Sequence, residues 1–281
     1  TSYMDRVLAQ SNAKRGISAE YREVLTKLHR YASGLVTVRE AENILDLPKE
    51  KVAKLLPYLA SSGWLKRIKR GLYLLVPLEA MSPARWTAND WMVATKIFAP
   101  CYIGGWNAAH HWGFTDQLFN STHIFSTHRV RVSENQIGEF SFIVRTVNKS
   151  RFFGLETIWD GQNKILISDP SRTIVDIMDT PFLGGGIRHC LEILYDYFSS
   201  KHLDEKKLIE YMGKFNNKAI VKRLGFLIEE AKINASADFM EKCLNIKSRG
   251  FAYLDPSLPH SGKKNKKWNL IINANINDFT G

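Results

Sequence analysis

Between Gly34 and Pro77 the chain reads GLVTVREAENILDLPKEKVAKLLPYLASSGWLKRIKRGLYLLVP, and no other stretch restricts the fold as tightly. Thr37 and Glu40 have the T-x-x-E spacing of a capping box, in which each side chain satisfies a backbone N–H of the other at a helix start. Ala41, Ile44 and Leu45 then recur at helical spacing. Asp46-Leu47-Pro48 makes a turn, and Pro48 suits the first position of the next helix. In that helix Val52, Leu55, Leu56 and Leu59 share one face, while Lys51, Lys54 and Tyr58 share another roughly 130° away. Lys49 adds a cation near its start. Pro57 removes a mid-helix hydrogen bond and is expected to kink or shorten the helix. Ser61-Ser62-Gly63 ends it.

A basic hairpin follows. Trp64–Ile68 and Leu72–Val76 read as strands, and Lys69-Arg70-Gly71 as the turn, with Gly71 free to take the positive φ such turns use. Lys66, Arg67, Lys69 and Arg70 crowd within five residues. Like charges this close repel, which phosphate groups would offset; a solvated basic hairpin is the plainer alternative. Upstream, Tyr21, Val24, Leu25, Leu28, Tyr31 and Ala32 form one apolar stripe, so a helix is expected from an N-cap at Ser18 to Ala32. Three helices closed by a cationic hairpin make a winged helix-turn-helix, a unit shaped to lay one helix in a DNA groove and a wing on the backbone.

Charge supports a polyanion partner. The 281 residues carry a formal +11, spread unevenly: residues 1–80 hold 14 Lys/Arg against 8 Asp/Glu, residues 81–200 hold 10 against 11, and residues 201–281 hold 15 against 9. A near-neutral middle thus lies between two basic ends. Cys101, Cys190 and Cys243 are odd in number and far apart, with neither metal-ligand nor disulfide spacing, which fits a reducing, cytoplasmic setting. The first twenty residues lack the apolar run of a signal peptide, Thr1-Ser2-Tyr3 ahead of Met4 reads as an expression remnant, and no apolar stretch nears the ~20 residues needed to span a bilayer.

The expected fold class is α+β: a winged helix-turn-helix over 1–80, then a larger mixed α/β domain over 81–281. In the second part residues 86–99 and Gly104–Phe114 read as helices. Thr122–Thr127, Phe140–Thr146, Phe152–Trp159 and Lys164–Ser168 read as strands. Helices are expected from Asp169-Pro170 to Met178, from the 184–186 glycines to Phe198, and around 204–213, 217–231 and 236–244. The end reads as loop, Lys-rich turn and one apolar strand.

Catalytic patterns are scarce. There is no Gly-Ser with Asp-x-Asp, no phosphate-binding G-x-x-x-x-G-K-[ST], no G-x-G-x-x-G and no G-x-S-x-G elbow. Asp176 and Asp179 read as capping, paired or solvent-facing. The 184–186 glycines read as an inter-helix turn ahead of a phosphate cradle. His110 and His111 point about 100° apart on a helix and cannot easily share a metal; between Trp106 and Trp112 a buried, hydrogen-bonded histidine is expected. No catalytic residue, metal or cofactor is therefore assigned. Lys263, Lys264, Lys266 and Lys267 with Trp268 form a second candidate patch: a nucleic-acid contact combining phosphates with stacking, a solvated hairpin tip, or a surface for an acidic protein.

The order of these motifs resembles the AbiEi-type antitoxins of bacterial abortive-infection (type IV toxin–antitoxin) systems. SSGWLKRIKRGLYLLVP, YIGGWNAAHHWGF, ISDPSRTIVDIMD and LDPSLPHSGKKNKKWNLIIN carry the likeness, in order, across most of 34–274. The resemblance implies a DNA-binding autorepressor acting on inverted repeats in its own promoter, with a C-terminal domain that counters a nucleotidyltransferase-like toxin. The expected DNA contacts are Lys49, Lys51 and Lys54 on the helix and Lys66, Arg67, Lys69 and Arg70 on the wing. Two other classes stand beside this non-enzymatic reading: a nucleic-acid-processing enzyme whose winged helix delivers substrate, and a module whose hairpin meets an acidic protein.

Overall fold

The computed structural model describes residues 18–77, 89–130 and 133–276. The start of the chain, the 80/81 division and the first residues of the helix expected at 86–99 lie outside them. The chain is α+β, a winged helix followed by a larger α/β region, and its contacts divide it into two compact units. One comprises residues 1–97, 134–142 and 159–164; the other comprises 98–133, 143–158 and 165–281.

In the first unit α1 (Ala19–Tyr31) starts at the Ser18 cap. It is followed by β1 (Leu35–Thr37), α2 (Val38–Leu45), α3 (Lys49–Ser61), β2 (Leu65–Lys69) and β3 (Leu72–Leu75). The Thr37–Glu40 capping box forms as its spacing requires, with Glu40 Oε2 accepting from Thr37 N at 2.9 Å and Thr37 Oγ1 from Glu40 N at 3.2 Å. Glu40 is also ion-paired with Lys96. The core is Leu25, Leu28, Val36, Ala41, Leu45, Val52, Leu56, Leu59, Leu65, Tyr73 and Leu75, with Tyr21, Val24, Ala32, Ile44 and Leu55 of the expected apolar faces partly buried against it.

Three details differ from expectation. Pro48 is the N-cap of α3 rather than its first residue. Pro57 lies inside a helix that continues to Ser61 and is exposed. And β1 pairs with β3, Val36 against Tyr73, giving a three-stranded sheet of order β1–β3–β2 where sequence indicated a two-stranded hairpin.

The remaining strands form two sheets. β4 (Cys101–Ile103), β5 (Thr122–Ser126), β6 (Glu134–Ile137), β7 (Phe140–Thr146), β8 (Leu155–Asp160) and β9 (Asn163–Ser168) form a six-stranded sheet of order β6–β7–β5–β4–β9–β8. Its centre is mixed: β4 runs antiparallel to β5 and parallel to β9. Tyr102 and Phe125 are register partners there, and their rings stack at 4.8 Å. At the C-terminal end β10 (Ala252–Tyr253), β12 (Leu270–Ile272) and β11 (Lys263–Asn265) form a small sheet with β12 in the middle.

The other α-helices of the described residues are α4 (Asp90–Phe98), α5 (Gly105–His111), α6 (Pro170–Asp179), α7 (Ile187–Ser199), α8 (Glu205–Lys214), α9 (Ala219–Glu230) and α10 (Ala237–Ile246). The second unit's core gathers α6, α7, α8 and α9 through residues such as Ile174, Leu194, Met212 and Leu224. Among the described residues no helix is long and apolar enough to cross a membrane.

Candidate nucleic-acid interface

Helix α3 is two-faced. Val52, Leu56 and Leu59 are fully buried, while Lys49, Lys51 and Lys54 are exposed on the other side. Tyr58 shares that outer side, half exposed, its ring 5.0 Å from that of Tyr21. Burial of the leucine face fixes the rotation of the helix, and the rotation decides which cations reach solvent.

The wing sorts its cations in the same way. Gly71 has φ +79°, the left-handed value that lets β2 and β3 reverse direction at the tip. The pairing slips between Arg67 and Lys69, so strict alternation breaks and Arg67, Lys69 and Arg70 are all exposed. Lys66 is different: it is only partly exposed and its Nζ lies 2.6 Å from Glu139 Oε2. Six of the seven expected cations, Lys49, Lys51, Lys54, Arg67, Lys69 and Arg70, thus stand free of ion pairs with described residues, and Lys66 does not.

The C-terminal patch is rearranged. Lys263 and Lys264 lie exposed on β11 rather than in a turn, and Lys266 is exposed beyond it. Lys267 pairs with Glu229. Trp268 is completely buried, with Nε1 donating to Glu229 Oε2 at 2.8 Å. It is a core residue and cannot stack on a base, which corrects the role expected for it. A short sequence shows an aromatic among lysines, but not the helix α9 that covers it. The exposed aromatic in this region is Phe251, with Lys264 Nζ 5.4 Å from its ring centre.

The second unit holds a buried polar network that the sequence only partly announced. Asp169 caps α6 by accepting from Arg172 N at 2.8 Å. The Arg172 side chain is fully buried, and every guanidinium nitrogen donates: Nε to Asp176 Oδ1 at 3.0 Å, Nη1 to the carbonyls of Arg151 and Phe153, and Nη2 to Tyr102 Oη. Burial opposes its charge, but Asp176 and Tyr102 more than offset this and hold the guanidinium protonated. Asp179 pairs with Arg145 at 2.9 Å and accepts from Asn217. Both aspartates are therefore buried and paired. With the donors of Arg172 matched to acceptors, the cluster braces α6, while Arg145 Nη1 is buried without a hydrogen-bond partner.

The histidines also differ from expectation. His110 and His111 are exposed; the buried one is His123, whose ionisation burial pushes down to about 4. A Cβ on Gly185 would come within 2.0 Å of the Trp106 ring and one on Gly184 within 2.6 Å of Cys190 Sγ, so these two glycines serve close packing, and Gly186 has φ +92°. Among the described residues no group of His, Cys, Asp and Glu is arranged to hold a metal ion.

The N-terminal region is therefore a winged helix with a cationic outer surface, the architecture of a DNA-binding regulator. Residues 22–76 match the family model described as "Transcriptional regulator, AbiEi antitoxin", so the N-terminal region carries the AbiEi-type antitoxin likeness read from the motifs. No curated protein matches the chain. Among solved structures it is similar to the RV2827C protein from Mycobacterium tuberculosis: 14% identity over 93% of this chain and 94% of that one, with a TM-score of 0.65. That likeness concerns the fold.

Proposed function

We propose that this protein is the antitoxin of a type IV toxin–antitoxin system and represses its own operon by binding inverted repeats in the promoter. The observation that carries this reading is the cationic face of α3 beside the outward wing cations Arg67, Lys69 and Arg70, in a segment that matches the AbiEi regulator family. Residues 1–80 act as the DNA-binding domain. Lys49, Lys51 and Lys54 meet phosphates or base edges, and the wing arginines hold the backbone, with one reaching toward the minor groove. Residues 81–281 act as the antitoxin domain against a nucleotidyltransferase-like toxin, in the cytoplasm and in defence against phage. The three cysteines, buried and in no disulfide, suit a reducing compartment. Lys263, Lys264 and Lys266 provide a second, weaker patch for a polyanion.

A gel-shift titration with the duplex upstream of the gene tests the reading. The protein is expected to shift that duplex at far lower concentration than a scrambled duplex of equal length. Equal shifts on both would remove sequence-specific repression, and no shift on either would remove DNA binding.

A further inference from the structure

Lys66 is the wing cation turned away from the proposed DNA-facing set. On β2, Lys66 and Ile68, the residue at which the pairing slips, both meet the turn between β6 and β7, which belongs to the same compact unit despite lying some seventy residues downstream. At Gly138, φ is +62° and a Cβ would lie 3.3 Å from the Ile68 carbonyl oxygen, so the turn rests directly on the wing backbone. Gln136 Nε2 donates to Gly138 O at 3.1 Å and closes the turn. The next residue, Glu139, takes Lys66. Phe140 and Phe142 are buried and root the hairpin.

A partly exposed ion pair contributes little to folding, because solvent screens it and two long side chains must be held still. Its effect on a polyanion partner is larger. Each phosphate neutralised by a protein cation changes the slope of log K against log salt by about 0.9, and a carboxylate at 2.6 Å occupies the position a phosphate oxygen would take. We propose that Glu139 is a positioning residue of the DNA-binding unit. It withholds Lys66 from phosphate, holds the wing on the 134–142 hairpin, and so limits the wing's contacts to Arg67, Lys69 and Arg70. The inference rests on the DNA-binding reading above, and its test separates the two.

The test compares wild type, Lys66→Ala, Glu139→Gln and the double variant, each titrated against the upstream promoter duplex between 50 and 200 mM salt. Lys66→Ala is expected to keep the wild-type slope. Glu139→Gln is expected to steepen it by about 0.9, so that its affinity falls about 3-fold more than wild type across that range. The double variant should return to the wild-type slope. A shallower slope for Lys66→Ala alone, or an unchanged slope for Glu139→Gln, overturns the withheld contact. Amide hydrogen exchange over residues 65–75, measured without DNA, tests the hold on the wing: faster exchange in Glu139→Gln supports it, and equal protection overturns it. If wild type binds no duplex, the DNA reading and the withheld contact fail together, while the exchange comparison still decides whether Glu139 fixes the wing.

Discussion

Arg172 shows what one residue can be asked to do. Buried in the first turn of α6, it satisfies a carboxylate, two carbonyls and a phenol at once. Removing it leaves Asp176 buried without its counter-ion, with only the Tyr102 hydroxyl at 3.2 Å, and takes a donor from the Arg151 and Phe153 carbonyls, so Arg172→Met should cost about 3–5 kcal/mol, read from the shift of a urea unfolding curve. A shift under about 1 kcal/mol would show that the network is not the brace described. His123 sets a pH dependence. Its folded pKa lies near 4, below the ordinary 6.5, so the unfolded chain takes up the proton first. Its contribution to stability is full above about pH 6.5 and declines as pH falls toward 4, by about 3 kcal/mol in all. His123→Leu should flatten that part of the stability profile; an unchanged profile would assign the loss elsewhere. On the wing, replacing Arg67 and Arg70 by Ala should reduce the salt slope by about 2 and weaken binding to every sequence alike. A loss confined to the promoter sequence would mean that these arginines read bases.

At the scale of elements, α3 is the helix whose behaviour sequence and structure describe differently. Pro57 does not end it, yet a proline in a helix interior still forgoes a hydrogen bond. Pro57→Ala is expected to raise stability by about 1–3 kcal/mol without altering DNA affinity, measured by urea midpoint and by titration. No gain in stability would mean that the proline's restraint on the unfolded chain offsets the lost bond. The helices and the wing were legible because burial dictates spacing: the leucines of α3, the capping box of α2 and the Asp169-Pro170 start of α6 are local signals with one physical meaning each. Strands β1 and β4 were not legible, because three residues are too few for alternation to register, and in β1 Thr37 serves the helix cap as well. At the interface, six cations were readable as exposed because they oppose the apolar face or sit at the turn. The engagement of Lys66 and the burial of Trp268 were not readable, since each depends on a partner far away in the chain, Glu139 in one case and Glu229 in the other.

For the whole molecule, the distribution of charge matters more than its total. The formal +11 is concentrated in the two ends of the sequence, and within residues 18–77 six of its cations lie exposed on α3 and the wing. In the second unit the Arg172 guanidinium is fully matched to acceptors, while both His123 ring nitrogens and Arg145 Nη1 are buried without a hydrogen-bond partner. The account therefore rests on electrostatic capture of DNA by α3 and the wing. It is tested most directly by fluorescence anisotropy of the labelled promoter duplex, titrated with the full chain at several salt concentrations. With Lys49, Lys51, Lys54, Arg67, Lys69 and Arg70 on phosphates, log K should fall against log salt with a slope of about −5. Binding whose strength does not change with salt, or no binding at low salt, would contradict it.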